Sequence, residues 1–218
     1  MTYREPISRV IDVGSYSRSG FYEYFKSFEV PINSRTIMID ITEFKKFIAL
    51  NDLRFFISFL YVLNKSANMI EELRHRIVDD VLVEYDFIFP IFTHLYNNKV
   101  IFIDGIFTGD FSNDYSINLA KSDNFLPGDL DPDRFNNHGH MIVSNIPWYS
   151  FTSMTFPYST QHNSVPVFGI GKFYKDGDRI MIPLAIQTNH ALVDGYHIGQ
   201  FLQKLEGCLN KPLDHLNI

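Results

Sequence analysis

A histidine, an aspartate, a glycine and a second histidine stand close together in Gln187-Thr188-Asn189-His190-Ala191-Leu192-Val193-Asp194-Gly195-Tyr196-His197. Imidazole is the side chain whose ordinary pKa lets it accept and return a proton near neutrality, so His190 is a candidate general base. Asp194 and Gly195 are turn formers, and the glycine would free the backbone for a sharp change of direction. The same residues also fit a hydrogen-bonded core histidine followed by an aspartate that caps a helix. The stretch alone leaves both readings open. His197 reads as a polar group at the start of that helix.

The elements on either side must position this loop. Before it, Ile180-Met181-Ile182-Pro183-Leu184-Ala185-Ile186 is apolar on consecutive residues, which predicts a strand covered on both faces. After it, Ile198, Phe201, Leu202, Leu205, Cys208 and Leu209 follow helical spacing, so a C-terminal helix lays an apolar stripe on the sheet. Upstream, residues 21–28 form a short amphipathic helix and 36–41 a strand, with Thr42 placed to cap a following short helix. The spacing of Phe55, Phe56, Phe59, Leu60 and Leu63 predicts a long helix. Residues 81–85, 88–96 and 100–103 read as strands with a hairpin turn at Asn97-Asn98. Residues 123–140 read as a loop with a helical turn, and 141–144, 165–173 and 179–188 as strands, the last two joined at Lys175-Asp176-Gly177-Asp178. The predicted class is α/β, a mixed β-sheet with packed helices, in a single domain over residues 1–218.

Composition narrows the function. A chain of 218 residues with 45% hydrophobic content buries a full core without staples, and 21 Phe with 12 Tyr exclude a disordered chain. A net charge of −6 and the lack of any Lys/Arg-rich stretch argue against a nucleic-acid partner. No run of roughly 20 apolar residues is present, so no membrane-spanning helix is expected. Met1-Thr2-Tyr3-Arg4-Glu5-Pro6 has no apolar signal region, so a cytoplasmic location is expected. The single cysteine, Cys208, cannot form an intrachain disulfide and falls on the buried stripe as an inert thiol. His138-Gly139-His140 has metal-ligand spacing without an obvious third ligand. Asp129-Leu130-Asp131-Pro132-Asp133 lacks the glycine and distal glutamate of a calcium loop, so no metal is expected.

Around His190 the chain resembles the trimeric, catalytic-histidine chloramphenicol acetyltransferases. Their pattern Pro-Leu-x-x-Gln-x-His-His-Ala-x-x-Asp-Gly-Phe/Tyr-His stands here from Pro183-Leu184 through Gln187, Asn189-His190-Ala191 and Asp194-Gly195-Tyr196-His197. Ser144-Asn145-Ile146-Pro147-Trp148-Tyr149-Ser150-Phe151-Thr152-Ser153 is similar to the family's Ser-x-x-Pro-Trp-x-x-Phe-x-Ser segment. Leu73-Arg74-His75-Arg76-Ile77, Tyr85-Asp86, residues 90–93, Ile39-Asp40-Ile41-Thr42, Gly171-Lys172-Phe173 and Gly177-Asp178-Arg179 also fit, and Arg18 stands at the family's N-terminal arginine. The similarity covers nearly the whole chain.

This resemblance implies a CoA-dependent acyltransferase-like two-layer sandwich and an antibiotic-resistance activity, chloramphenicol O-acetylation from acetyl-CoA. It implies His190 as the base that takes the proton from the acceptor hydroxyl, and Ser144 as donor to the tetrahedral oxyanion, a contribution of roughly 3–4 kcal/mol. Arg18 and Asp194 would form a buried ion pair supporting the site, with Asn189 beside the base. Tyr24, Phe25 and Phe102 would line the acceptor pocket, and Trp148, Lys172 and Phe173 would lie near CoA. The implied assembly is a homotrimer in which the base of one subunit faces the acceptor pocket of its neighbour, with no metal in the chemistry. The chain departs from the pattern at Asn189 for a histidine, Gly169 for a threonine and Phe25 for a pocket tyrosine. Ile103-Asp104-Gly105-Ile106-Phe107 also replaces a Ser- and Trp-containing segment. These changes cluster on the acceptor side, so acyl transfer is better supported than chloramphenicol as acceptor. A CoA-dependent O-acyltransferase for another small hydroxylated acceptor, and a homologue that only binds the ligand, are the alternatives.

Overall fold

A computed structural model describes residues 4–125 and 132–217. Most of the Asp129–Asp133 stretch therefore lies outside the described residues. The sheet is mixed, in the order β2(Ile32–Asp40)-β10(Arg179–Asn189)-β8(Val167–Ile170)-β7(His140–Asn145)-β5(Phe89–Tyr96)-β6(Lys99–Asp104), with β9(Tyr174–Asp176) paired to the start of β10. Its β5–β7 and β7–β8 pairs are parallel and the rest antiparallel. A smaller sheet holds β1(Ser8–Val10), β4(Val81–Tyr85) and β3(His75–Val78).

The strand period sorts residues to two faces. Ile182, Leu184 and Ile186 of β10, with Val143 and Phe168, join the core beneath α2(Thr42–Leu50), α3(Phe55–Asn68) and α6(Gly195–Asn210). Ala185, Gln187, Gly169 and Ser144 point to the other face. There the chain after Trp148 crosses the sheet: the Met154 N–H donates to Thr36 Oγ1 (3.3 Å) and the Phe156 N–H to Gln187 Oε1 (3.0 Å). Covered on both sides, β10 is buried from Met181 to Asn189, as its continuous apolar run requires. Cys208 is buried on α6, and burial raises its pKa.

The turn at Asn97-Asn98 has φ of 47° and 61°, the left-handed pair that a two-residue hairpin demands and asparagine tolerates. Asp79-Asp80 (47° and 64°) makes the same turn between β3 and β4, a hairpin the sequence reading does not anticipate. Thr42 does not cap α2; it is the first helical residue, and Asp40 Oδ1 accepts from its N–H (2.9 Å) and hydroxyl (2.6 Å). The strand expected over 165–173 shortens to Val167–Ile170. Beyond it the Gly171 N–H donates to the Pro183 carbonyl (3.1 Å), but Pro183 has no N–H to return and the ladder ends. Gly195 has no left-handed backbone and simply opens α6. An unanticipated helix, α4(Phe111–Asp123), is capped by the Asp110 side chain, which accepts from the Asn113 N–H (2.8 Å), and the short α5(Pro132–Asn136) is the helical turn expected within residues 123–140.

Candidate active site

β10 ends at Asn189, and the Asn189 side chain then folds the loop: its Oδ1 accepts from the Ala191 N–H (2.9 Å), while its carbonyl accepts from Val193 (2.9 Å). The His190 N–H donates to the Pro31 carbonyl (2.7 Å), tying the loop to the chain entering β2. His190 Nδ1 lies 3.1 Å from the Val193 carbonyl oxygen. A carbonyl can only accept, so Nδ1 carries the proton and the lone pair of Nε2 is left for a substrate. The ring lies 4.1 Å from that of Phe25 on α1(Ser19–Lys26), centroid to centroid.

Asp194 is the N-cap of α6, accepting from the Tyr196 and His197 N–H groups, and His197 Nδ1 accepts in return from the Asp194 N–H (3.1 Å). The aspartate thus caps the helix, and the histidine before it is half-buried with a free nitrogen. Arg18 Nη1 donates to Asp194 Oδ2. Burial opposes ionisation of Asp194, but the Arg18 hydrogen bond and charge outweigh it and hold the carboxyl below its usual range. His197 Nε2 stands 3.3 Å from Glu72 Oε1, a second tether that sequence reasoning did not find.

The other sequence-identified residues fall into separate groups. Tyr24 and Phe25 pack edge to face, with Phe28 against both, and Phe25 lies against His190 of its own chain, whereas the resemblance implied an acceptor pocket on the neighbouring subunit. Phe102 stands on β6 at the opposite edge of the sheet, against Phe135 (6.2 Å between ring centroids). The Lys172 N–H donates to the Tyr149 carbonyl (3.0 Å), which brings Trp148, Lys172 and Phe173 together at the end of β7 and β8, close to Ser144. Trp148 and Phe173 are exposed.

Ser144 pairs with Gly169, and Gly169 with Ala185. His190 lies five residues beyond Ala185, about 17 Å along β10, and Ser144 two strands to the side, about 10 Å. The two Cα atoms are therefore roughly 20 Å apart within one chain. One row from Ser144 on the same face, Ile142, Val167 and Gln187 floor a cavity of about 140 Å³ walled by Phe135 and Tyr158. A Cβ at Gly169 would come 2.7 Å from Phe156 Cζ, so this ring occupies the space a threonine there would need.

For His138 and His140 the fold supplies the third imidazole that the sequence did not reveal, His162, whose ring centroid lies 4.9 Å from that of His138. Their nitrogens nonetheless do not converge as a ligand set. Burial lowers the pKa of all three, most strongly for His140.

A family profile described as chloramphenicol acetyltransferase matches residues 8–206. The chain is 31% identical over 210 residues to the chloramphenicol acetyltransferase of Proteus mirabilis, covering 91% of this chain and 95% of that one. A solved chloramphenicol acetyltransferase superposes with a TM-score of 0.85 at 26% identity, over 93% of this chain and 100% of the other. The dihydrolipoamide acetyltransferase of Azotobacter vinelandii shares the fold, with a TM-score of 0.67 at 15% identity over 98% and 93% of the two chains.

Proposed function

The chain belongs to the chloramphenicol acetyltransferase family, a family of acetyl-CoA-dependent acetyltransferases, and on that premise we propose that it acetylates a hydroxyl of chloramphenicol with His190 as general base and Ser144 as oxyanion donor. His190 Nε2 takes the hydroxyl proton as the oxygen bonds to the thioester carbonyl carbon. The carbonyl oxygen becomes an oxyanion that accepts from the Ser144 hydroxyl. The carbon–sulfur bond then breaks, and the CoA sulfur leaves with the proton held by the imidazolium. Tyr24, Phe25 and Phe102 serve the acceptor, and Trp148, Lys172 and Phe173 serve CoA. Arg18, Asp194 and Asn189 hold the loop. A supply of acetyl-CoA accords with the cytoplasmic location expected from the sequence.

The observation that carries this reading is the separation of His190 from Ser144. They cannot address one carbonyl within a chain, yet each stands at a strand end beside the groups its half-reaction needs: aromatic rings at one, the Trp148–Phe173 cluster at the other. Offering the base of one protomer to the Ser144 of the next completes the site, and a closed ring of three such contacts gives a homotrimer with sites at its subunit interfaces. The Phe156 ring over Gly169 favours a second reading of the acceptor alone, another small hydroxylated molecule whose shape suits the filled pocket. Thiol release from acetyl-CoA, measured with chloramphenicol and with a panel of other hydroxylated antibiotics, decides between them. Drug-dependent release establishes the first, release only with another alcohol the second, and binding without release by any of them refutes both.

A further inference from the structure

Away from this site, Glu71, His75 and Glu84 each bring one potential ligand atom to within 4.8 Å of the others. His75 and Glu84 are direct cross-strand partners on β3 and β4, which fixes their side chains at close range on one face. Glu71 reaches the same point from the 3-10 turn that leads into β3. His75 is only 2% exposed, yet its Nε2 has no hydrogen-bond partner and faces Glu71 Oε1 at 3.6 Å. Its other nitrogen, Nδ1, lies 3.3 Å from the Tyr16 hydroxyl, the kind of outer partner that orients a ligating imidazole.

We propose that Glu71, His75 and Glu84 bind a divalent transition-metal cation of the zinc class. One imidazole nitrogen with two carboxylates suits such a borderline cation, whereas magnesium and calcium select oxygen donors alone. Glu84 is engaged by two guanidinium groups: its Oε2 accepts from Arg9 Nε (2.9 Å) and its Oε1 from Arg74 Nη2 (2.8 Å). The Arg9 side chain is 75% exposed and free to swing into water, so the cation exchanges with Arg9, while the better-buried Arg74 remains as the outer partner of the carboxylate. The adjacent Glu72 is not one of the three and pairs with His197, so the cation site adjoins the tether of the His190 loop without sharing a ligand with it.

Isothermal titration of the full chain with zinc ions alone, in a buffer that does not chelate, tests the proposal. The wild-type chain is expected to take up one zinc ion. Glu71→Gln, a change at an exposed position checked for intact folding by circular dichroism, should weaken binding about tenfold or more, and His75→Gln at least as much. Arg9→Ala, which removes the competing cation, should tighten it several-fold. Zinc should also raise the Tm of the wild-type chain and leave that of Glu71→Gln nearly unmoved. No saturable uptake by the wild-type chain would overturn the proposal. So would equal affinities in the wild type, Glu71→Gln and Arg9→Ala, which would place the ion elsewhere, for example at His138 and His162.

Discussion

The tautomer of His190 follows from its partner: a backbone carbonyl 3.1 Å from Nδ1 fixes the proton there and leaves Nε2 as the basic nitrogen. Replacing the ring should abolish proton transfer and leave the loop, which is held through backbone groups and Asp194, in place. His190→Ala is expected to lower kcat by about 10² or more with an unchanged circular dichroism spectrum, and a variant that keeps most of its turnover would refute the role. Asp194 carries a sign that can be checked against pH. Its folded pKa is depressed, so its ion pair with Arg18 stabilises above the unfolded carboxylate value of roughly 3.9 and is lost as pH falls through the lower folded value. Asp194→Asn should flatten that acid limb in a Tm-against-pH profile. Gly169→Thr should cost about 1–3 kcal/mol through overpacking against Phe156, and pairing it with Phe156→Ala should recover part of the loss in urea unfolding. At this scale the sequence offered His190, Ser144 and Asp194 as candidates. It hid Glu72 and Phe156, whose contacts depend on loops that bring distant residues together.

Among elements, β10 and α6 were plain in the sequence because one is apolar on consecutive residues and the other at helical spacing. The helix α4 was not, since its run Phe-Ser-Asn-Asp-Tyr-Ser-Ile-Asn-Leu-Ala-Lys-Ser-Asp mixes polar residues around most of its circumference and is fixed by its cap and by contacts to α3. The join between the two sheets was equally hidden. It rests on Arg76, fully buried, whose guanidinium donates to the carbonyls of Leu73, His75, His138 and His140 and so binds β3 to the start of β7. Arg76→Met would strand these acceptors, each worth about 1–3 kcal/mol when left unsatisfied, and a loss of several kcal/mol in urea unfolding is expected. The histidines packed on either side of this join, His75 and His140, are held neutral chiefly by burial. The unfolded chain protonates them below a pH of roughly 6.5 while the folded chain resists, so stability is complete above that value and falls below it. The slope is up to about 1.4 kcal/mol per pH unit for each ring.

For the molecule as a whole, the sheet that makes both strand ends also keeps them about 20 Å apart. This was invisible in the sequence, where both residues simply stand at the ends of strands. Only the order β10-β8-β7 and its register reveal that separation. Co-expression of His190→Ala and Ser144→Ala chains is therefore expected to restore part of the activity that each lacks alone, because some interfaces of a mixed assembly join an intact His190 to an intact Ser144. No recovery in a mixture shown by light scattering to be trimeric would exclude a shared site. The buried Cys208 has a practical corollary for such assays. A chromogenic disulfide reagent added to the native protein meets no other sulfhydryl of the chain, so colour develops from liberated coenzyme alone. Denaturant then exposes one equivalent per polypeptide, giving an internal standard for enzyme concentration in the same cuvette.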